Sequence, residues 1–283
     1  MYSTNQPLPQ LTVRQLQIDL SQGFDRHWHD NDRFKTAFFN ALSMSFPEGE
    51  QFFINSVRDA YKTLSPQSQE ELSESVKGFI GQEATHRRLH GLFNQHLERA
   101  HGLRNHWQGW IQTMTQRVLP TLGIKTKQRV AITAAYEHLT AIYSDYGLRY
   151  ERVFKGIPEP IVSFWRWHAS EESEHRAVAL TVYRAMGGSE TQRCLWFVYV
   201  LIGFHLELGL QTTSNLWRDK SLFKTSTWIS LVRFFFGKDG ITWRTTLPLL
   251  AYFKPRFDPI KEHDDTLANQ WLENNRHQWR SIK

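Results

Sequence analysis

Apolar positions recur at helical spacing from Phe34 to Ser45. Pro47 then stands where a first-turn proline would open a new helix through GEQFFINSVRDAYKTL, the first candidate core helix. Ser65-Pro66 restarts the chain. The proline-free segment from Gln67 to about Ala100 predicts a second core helix, antiparallel to the first because the connection is short. Pro120 and Gly123 mark a break before a third helix from Lys127 to Val153, and the longer interval there leaves room for a crossover. After Gly156, Pro158 and Pro160, a fourth helix is expected from Ile161 to Met186, stopped by Gly187-Gly188. An apolar helix through about Trp217, another around Ser226 to Phe236 and a proline-punctuated stretch ending in YFKPRFDP follow. No alternating pattern of useful strand length occurs, so the fold class is all-α. The expected organisation is a loose lead-in over 1–26, a four-helix bundle over 27–190 and an apolar helical extension over 191–283 packed on it.

The chemistry sits in an internal repeat. Gln82-Glu83-Ala84-Thr85-His86-Arg87 is echoed 89 positions later by Glu171-Glu172-Ser173-Glu174-His175-Arg176, and both copies contain ExxHR. Helical residues three apart lie about 60° apart around the axis and one turn along it, so carboxylate and imidazole can reach one ion. The alignment selects Glu172, rather than Glu171 or Glu174, as the partner of His175. A helix with a lone carboxylate precedes each copy: Glu50 lies 33 residues before Glu83, and Glu137 lies 35 before Glu172. A Glu from each of two helices and Glu-x-x-His from each of the other two is the ligand set of di-iron and di-manganese carboxylate bundles. Glu50, Glu83, His86, Glu137, Glu172 and His175 are therefore the expected ligands of two metal ions, iron or else manganese. Four carboxylates would neutralise two divalent cations. A single ExxH on a helix is commonly a surface pair; two copies in matching frames with placed extra glutamates are not readily explained that way. Glu48, the rival to Glu50, directly follows Pro47 and suits a helix N-terminus.

His90 follows Glu83 by seven residues and His168 precedes His175 by seven, so both return to the ligand face. Each is an extra ligand or an imidazole hydrogen-bonded to a ligating carboxylate. His138 adjoins Glu137 and should point elsewhere. Tyr136 and Tyr183 read as core aromatics before any redox role.

Composition narrows the setting. Basic residues outnumber acidic ones 34 to 28, a formal charge of +6, yet they are scattered along the sequence. That suits a protein near an anionic surface better than a nucleic-acid binder, and no nucleic-acid partner is expected. Cys194 is the one cysteine, which excludes an intrachain disulfide and thiolate clusters and points to a reducing, cytoplasmic setting. MYSTNQPLPQLTVRQ lacks the features of an export signal. The apolar run from Cys194 to Phe204 is about half the roughly 20 residues a bilayer requires, so no transmembrane helix is expected.

FPEGEQFF around Glu50, QEATHRRLH, WRWHASEESEHRAVALTVY and YFKPRFDP together resemble the bacterial family labelled predicted metal-dependent hydrolases, within the wider ferritin-like set. The resemblance spans about residues 27 to 260 and implies a ferritin-like four-helix bundle with additional C-terminal helices. Fold alone does not choose the activity. The expected function is an O2-dependent di-iron oxidoreductase. A dinuclear hydrolase, in which the ions supply a hydroxide nucleophile, is the alternative, and a non-enzymatic iron-binding bundle is the third reading. CLWFVYVLIGFHLELGLQ, TWISLVRFFFG and LPLLAYF, with Arg233, Lys238, Arg244, Lys254 and Arg256 beside them, fit an apolar or amphiphilic small-molecule substrate or shallow attachment to an anionic membrane. Helices that cover the bundle or form a homodimer would show the same composition.

Overall fold

The computed structural model describes residues 10–106 and 123–282, with Leu8 and Thr121. Among the described residues the fold is all-α apart from one two-stranded ladder. Four long helices form the core: α1 (Arg33–Tyr61), α2 (Pro66–His101), α3 (Thr126–Arg149) and α4 (Ile161–His175). They are followed by α5 (Val178–Ala185), α6 (Glu190–Arg218), α7 (Thr225–Phe236), α8 (Ile241–Leu250), α9 (Pro259–Glu262) and α10 (Thr266–Asn274). The crossover expected between the second and third helices falls on residues 107–120, outside the described residues.

Local chemistry starts and stops these helices. The Asp32 carboxylate accepts from the Lys35 N–H at 3.0 Å, and Ser65 caps α2 with Pro66 in its first turn. Gly102, at φ 67°, closes α2 in the left-handed conformation. The α1–α2 hairpin is antiparallel, because Ser43 meets His90 and Asn94 while Tyr61 meets Gln69. Contacts between α2 and α4 run in the same antiparallel sense, from Gln82–His175 through His86–Glu171 to His90–His168. The two ExxH copies therefore face each other in opposite directions, as a pseudo-twofold duplication would place them.

Two expectations are corrected. Pro47 does not open a new helix; it lies inside the continuous α1. A proline there removes the N–H that would bond the Ser43 carbonyl. Asn94 replaces it, its side-chain amide donating to that carbonyl at 2.9 Å. The fourth helix also divides, α4 ending at His175 and α5 beginning at Val178. The Arg176 guanidinium donates to the Ser173 carbonyl, the acceptor that the Ala177 N–H would otherwise use, and pairs with Asp265 while Nε donates to the Pro259 carbonyl.

The segment read as a loose lead-in supplies β1 (Arg14–Leu16), which pairs antiparallel with β2 (Trp279–Ser281), Leu16 opposite Trp279. Arg14 is buried there against Glu171 and Glu174. α6 and α8 pack on α3, α6 and α7 on α1, and α8 on α7. The uninterrupted apolar run is short, but α6 as a whole is long and apolar enough to cross a membrane; one of its faces nevertheless packs on the bundle.

Two apolar clusters divide the bundle along its length. One contains Val57, Phe79, Val130 and Val178, the other Phe34, Phe93, Phe164 and Trp167. The Glu and His residues of α1 to α4 form the layer between them. The Pro47–Asn94 compensation makes a testable coupling. Asn94→Ala should destabilise the protein by about 1–3 kcal/mol through the orphaned Ser43 carbonyl. In a Pro47→Ala background, which restores the helical N–H, denaturant titration should show a clearly smaller loss.

Candidate metal centre

Glu50 comes from α1, Glu83 and His86 from α2, Glu137 from α3, and Glu172 and His175 from α4. The structure brings all six together, and all are buried. Donor atoms of Glu50, Glu83 and His86 lie within 4.8 Å of one another, as do those of Glu83, Glu172 and His175. Glu137 joins the second group, its Oε2 3.3 Å from His175 Nε2. Glu83 belongs to both groups, and Glu172 lies 3.6 Å from His86 Nδ1 and 3.5 Å from His175 Nε2, so these two carboxylates stand between two positions.

Both carboxylate oxygens of Glu50, Glu83 and Glu137, with His86 Nδ1 and His175 Nε2, are buried and have no hydrogen-bond partner among the described residues. Burying such groups unpaired costs on the order of several kcal/mol each. Burial, reinforced by the neighbouring carboxylates, raises Glu50, Glu83 and Glu137 well above the usual range. Burial also pushes Glu172 up, but the neighbouring imidazoles, His175 foremost, outweigh it and hold Glu172 well below that range. Arg87 offsets a part of the shift at Glu50, and among the described residues no Lys or Arg pairs with any of the three carboxyls. Two divalent ions fit this donor set: they would accept every orphaned lone pair and balance four carboxylates.

The outer nitrogen of each histidine is fixed by the opposite copy of the repeat. His86 Nε2 meets Glu171 Oε2 at 3.0 Å, and His175 Nδ1 donates to Gln82 Oε1 at 3.1 Å. Gln82 and Glu171 are equivalent positions of the repeat, one residue before each Glu of ExxH. Sequence reasoning set Glu171 aside as a ligand and missed this orienting role. Arg14 holds Glu171 at 3.0 Å and Glu174 at 2.6 Å, and Gln82 Nε2 also donates to Glu174. Burial raises Glu171 to about 8, with Arg14 opposing the shift.

His90 and His168 extend the site into a chain. His168 Nε2 lies 2.9 Å from Glu172 Oε1, His168 Nδ1 lies 2.6 Å from His90 Nε2, and His90 Nδ1 lies 2.9 Å from Ser43 Oγ. The bond directions follow from Pro47. Because Asn94 Nδ2 serves the freed Ser43 carbonyl, Asn94 Oδ1 faces Ser43 Oγ, which must donate to it at 2.8 Å. His90 Nδ1–H then donates to Ser43 Oγ, His168 Nδ1–H donates to His90 Nε2, and the Nε2 lone pair of His168 faces an ionised carboxylate. That contact is repulsive unless a cation or proton lies between them. Burial pushes His168 down to about 4, which disfavours the proton. Donor atoms of His86, His168 and Glu172 also lie within 4.8 Å of one another. His90, with both nitrogens engaged, has an orienting place.

The other candidates lie elsewhere. Glu48 is half-buried and lines a separate cavity. His138 Nε2 donates to the Leu249 carbonyl at 3.1 Å and stacks on Tyr252. Tyr183 donates to the Ser189 carbonyl, and Tyr136 packs between Phe53 and Phe204. A cavity of about 80 Å³ reaches His168 and Glu172 from the α6–α8 side, walled by apolar side chains including Phe38, Leu42, Phe46, Phe204, Leu208 and Phe234.

Protonated carboxyls must lose their protons to bind metal. Calorimetric metal titration in buffers of differing ionisation enthalpy should show more than one proton released per chain. Because Glu50, Glu83 and Glu137 titrate above the usual range, affinity should rise with pH from about 4.5, the ordinary carboxyl value, upward. Proton-neutral binding would contradict this electrostatic account.

A family model described as predicted metal-dependent hydrolase matches residues 12–264. No curated protein and no solved structure matches the chain.

Proposed function

The chain belongs to the predicted metal-dependent hydrolase family, and from that premise we propose that it is a dinuclear metal enzyme acting on an apolar or amphiphilic small molecule. Glu50, Glu83 and His86 would hold one ion and Glu137, Glu172 and His175 the other, with Glu83 and Glu172 between them. His168 would add a third imidazole through Nε2. The unpartnered buried oxygens of Glu50, Glu83 and Glu137 carry this reading. Two bound ions would supply Lewis acidity and, as iron, an accessible change of oxidation state.

The reaction class we favour is O2-dependent oxidation, with dioxygen as oxidant and an external two-electron reductant. Its support is the cavity that meets Glu172 and His168, whose walls are almost entirely carbon. Such walls admit dioxygen and an alkyl or aryl group while excluding bulk water from the carboxylate layer. Gln82 and Glu171 orient His175 and His86, and the His168–His90–Ser43 chain holds one imidazole tautomer beside the cavity. Redox-active iron or manganese suits mixed imidazole and carboxylate donors, and iron is the metal proposed. A second reading, hydrolysis of an ester, amide or phosphate, is favoured by the family's description; the same residues would hold the ions.

Air exposure separates the two. The reduced iron-loaded protein in air-saturated buffer should develop near-ultraviolet ferric absorption within minutes, at a rate altered by a long-chain fatty acid. Redox-inert zinc can still support hydrolysis. Turnover of simple esters or phosphates by the zinc-loaded protein, together with an air-stable ferrous form, would replace the oxidation reading with the hydrolytic one.

A further inference from the structure

Eighteen large apolar side chains are exposed among the described residues, and all but Leu92 and Ile282 lie between Leu195 and Phe253. On α6 they form one stripe at helical spacing, including Leu195, Tyr199, Ile202, Leu206 and Leu210. The opposite face of α6 buries Phe197, Val200, Phe204 and Leu208 against the bundle. This helix thus has two apolar faces, and among the described residues only one packs against the fold. Further exposed apolar side chains lie on the next two helices and their connections, where Phe223 is 84% exposed, Trp243 63% and Leu247 77%, with Trp217 against Phe223 and Phe236 against Trp243. Monomeric proteins rarely leave so much apolar surface together without a use for it.

Charge identifies what covers this face. From Arg218 to Arg256 there are eight Lys or Arg and two Asp, so this stretch alone carries the chain's whole net charge of +6. The scatter of basic residues noted in the sequence therefore conceals a local excess. All eight basic residues are exposed. Asp219 is occupied by Arg26 and His27, and Asp239 by Arg244. A second copy docked symmetrically would set this positive surface against itself. An anionic lipid leaflet has the opposite charge and an apolar interior, and aromatic side chains flanked by Lys and Arg suit its interface.

We propose that α6, α7 and α8 form an interfacial membrane-binding surface that inserts its apolar side chains among anionic phospholipids while Lys224, Arg233 and Lys238 meet the headgroups. α6 lies in the interface rather than across it, because crossing would strip Phe197, Val200, Phe204 and Leu208 from the core. The placement is coherent with the cavities. A second cavity of about 90 Å³, lined by the exposed Tyr199 and by Glu207, shares Phe46, Thr140 and Phe204 with the one that reaches Glu172. The proposal does not depend on which reaction the metal centre performs.

Co-sedimentation of the full, metal-loaded chain tests it. Binding is expected to phosphatidylcholine vesicles containing phosphatidylglycerol, and much weaker binding to phosphatidylcholine alone. Lys224→Gln with Lys238→Gln should weaken binding roughly twenty-five-fold, about five-fold per basic residue. Ile202→Gln with Leu206→Gln should weaken it at least as much without lowering Tm, since both side chains are more than 60% exposed. Absence of pelleting with either vesicle would overturn the proposal. So would a dimer in light scattering that the Ile202→Gln, Leu206→Gln variant converts to monomer while vesicle binding is unchanged, which would assign the face to a second copy.

Discussion

The structure depends on the cost of placing four carboxylates and their histidines in a closed layer at the centre of a helical bundle. Between two apolar clusters the layer is buried from solvent, and Arg14 pairs with Glu171 and Glu174, not with the carboxylates of the layer. Burial and mutual repulsion raise Glu50, Glu83 and Glu137 above the usual carboxyl range, and among the described residues their oxygens have no hydrogen-bond donor. A bundle could avoid this cost with apolar residues at those positions. Its retention makes physical sense when cations complete the layer, since each orphaned lone pair then becomes a ligand.

The neighbouring polar groups are organised from outside the layer. Pro47 frees a carbonyl, Asn94 takes it, and the orientation of Asn94 sets the hydrogen-bond direction through Ser43 and His90 to His168. The opposite-copy contacts of Gln82 and Glu171 act similarly on His175 and His86. Rigid support of this kind holds donor atoms in place in the absence of the ion and limits the reorganisation that binding requires.

Much of this was legible in the sequence because its signals are local. Helical periodicity and the ExxH spacing depend on residues within a turn or two, and the repeat pointed to the same six residues that the structure brings together. The unread parts depend on distant partners. α1 passes through Pro47 because Asn94 lies beside it, and α4 breaks at Arg176 because Pro259 and Asp265 receive its guanidinium. The ordered N-terminal strand required the C-terminal strand to pair with it. Gln82 and Glu171 were visible as one repeat position, but their role emerges only when the two copies run antiparallel. The double-faced character of α6 was equally hidden, since composition reports total apolarity and not which face is covered.

The central claim is that this layer is a dinuclear metal site. Anomalous diffraction from crystals of the iron-reconstituted protein, with metal content measured on the same sample, addresses it directly. The account predicts two anomalous peaks per chain, one among Glu50, Glu83 and His86 and one among Glu137, Glu172 and His175. Well-folded protein with no metal in this layer, or with its metal bound only elsewhere, would contradict it.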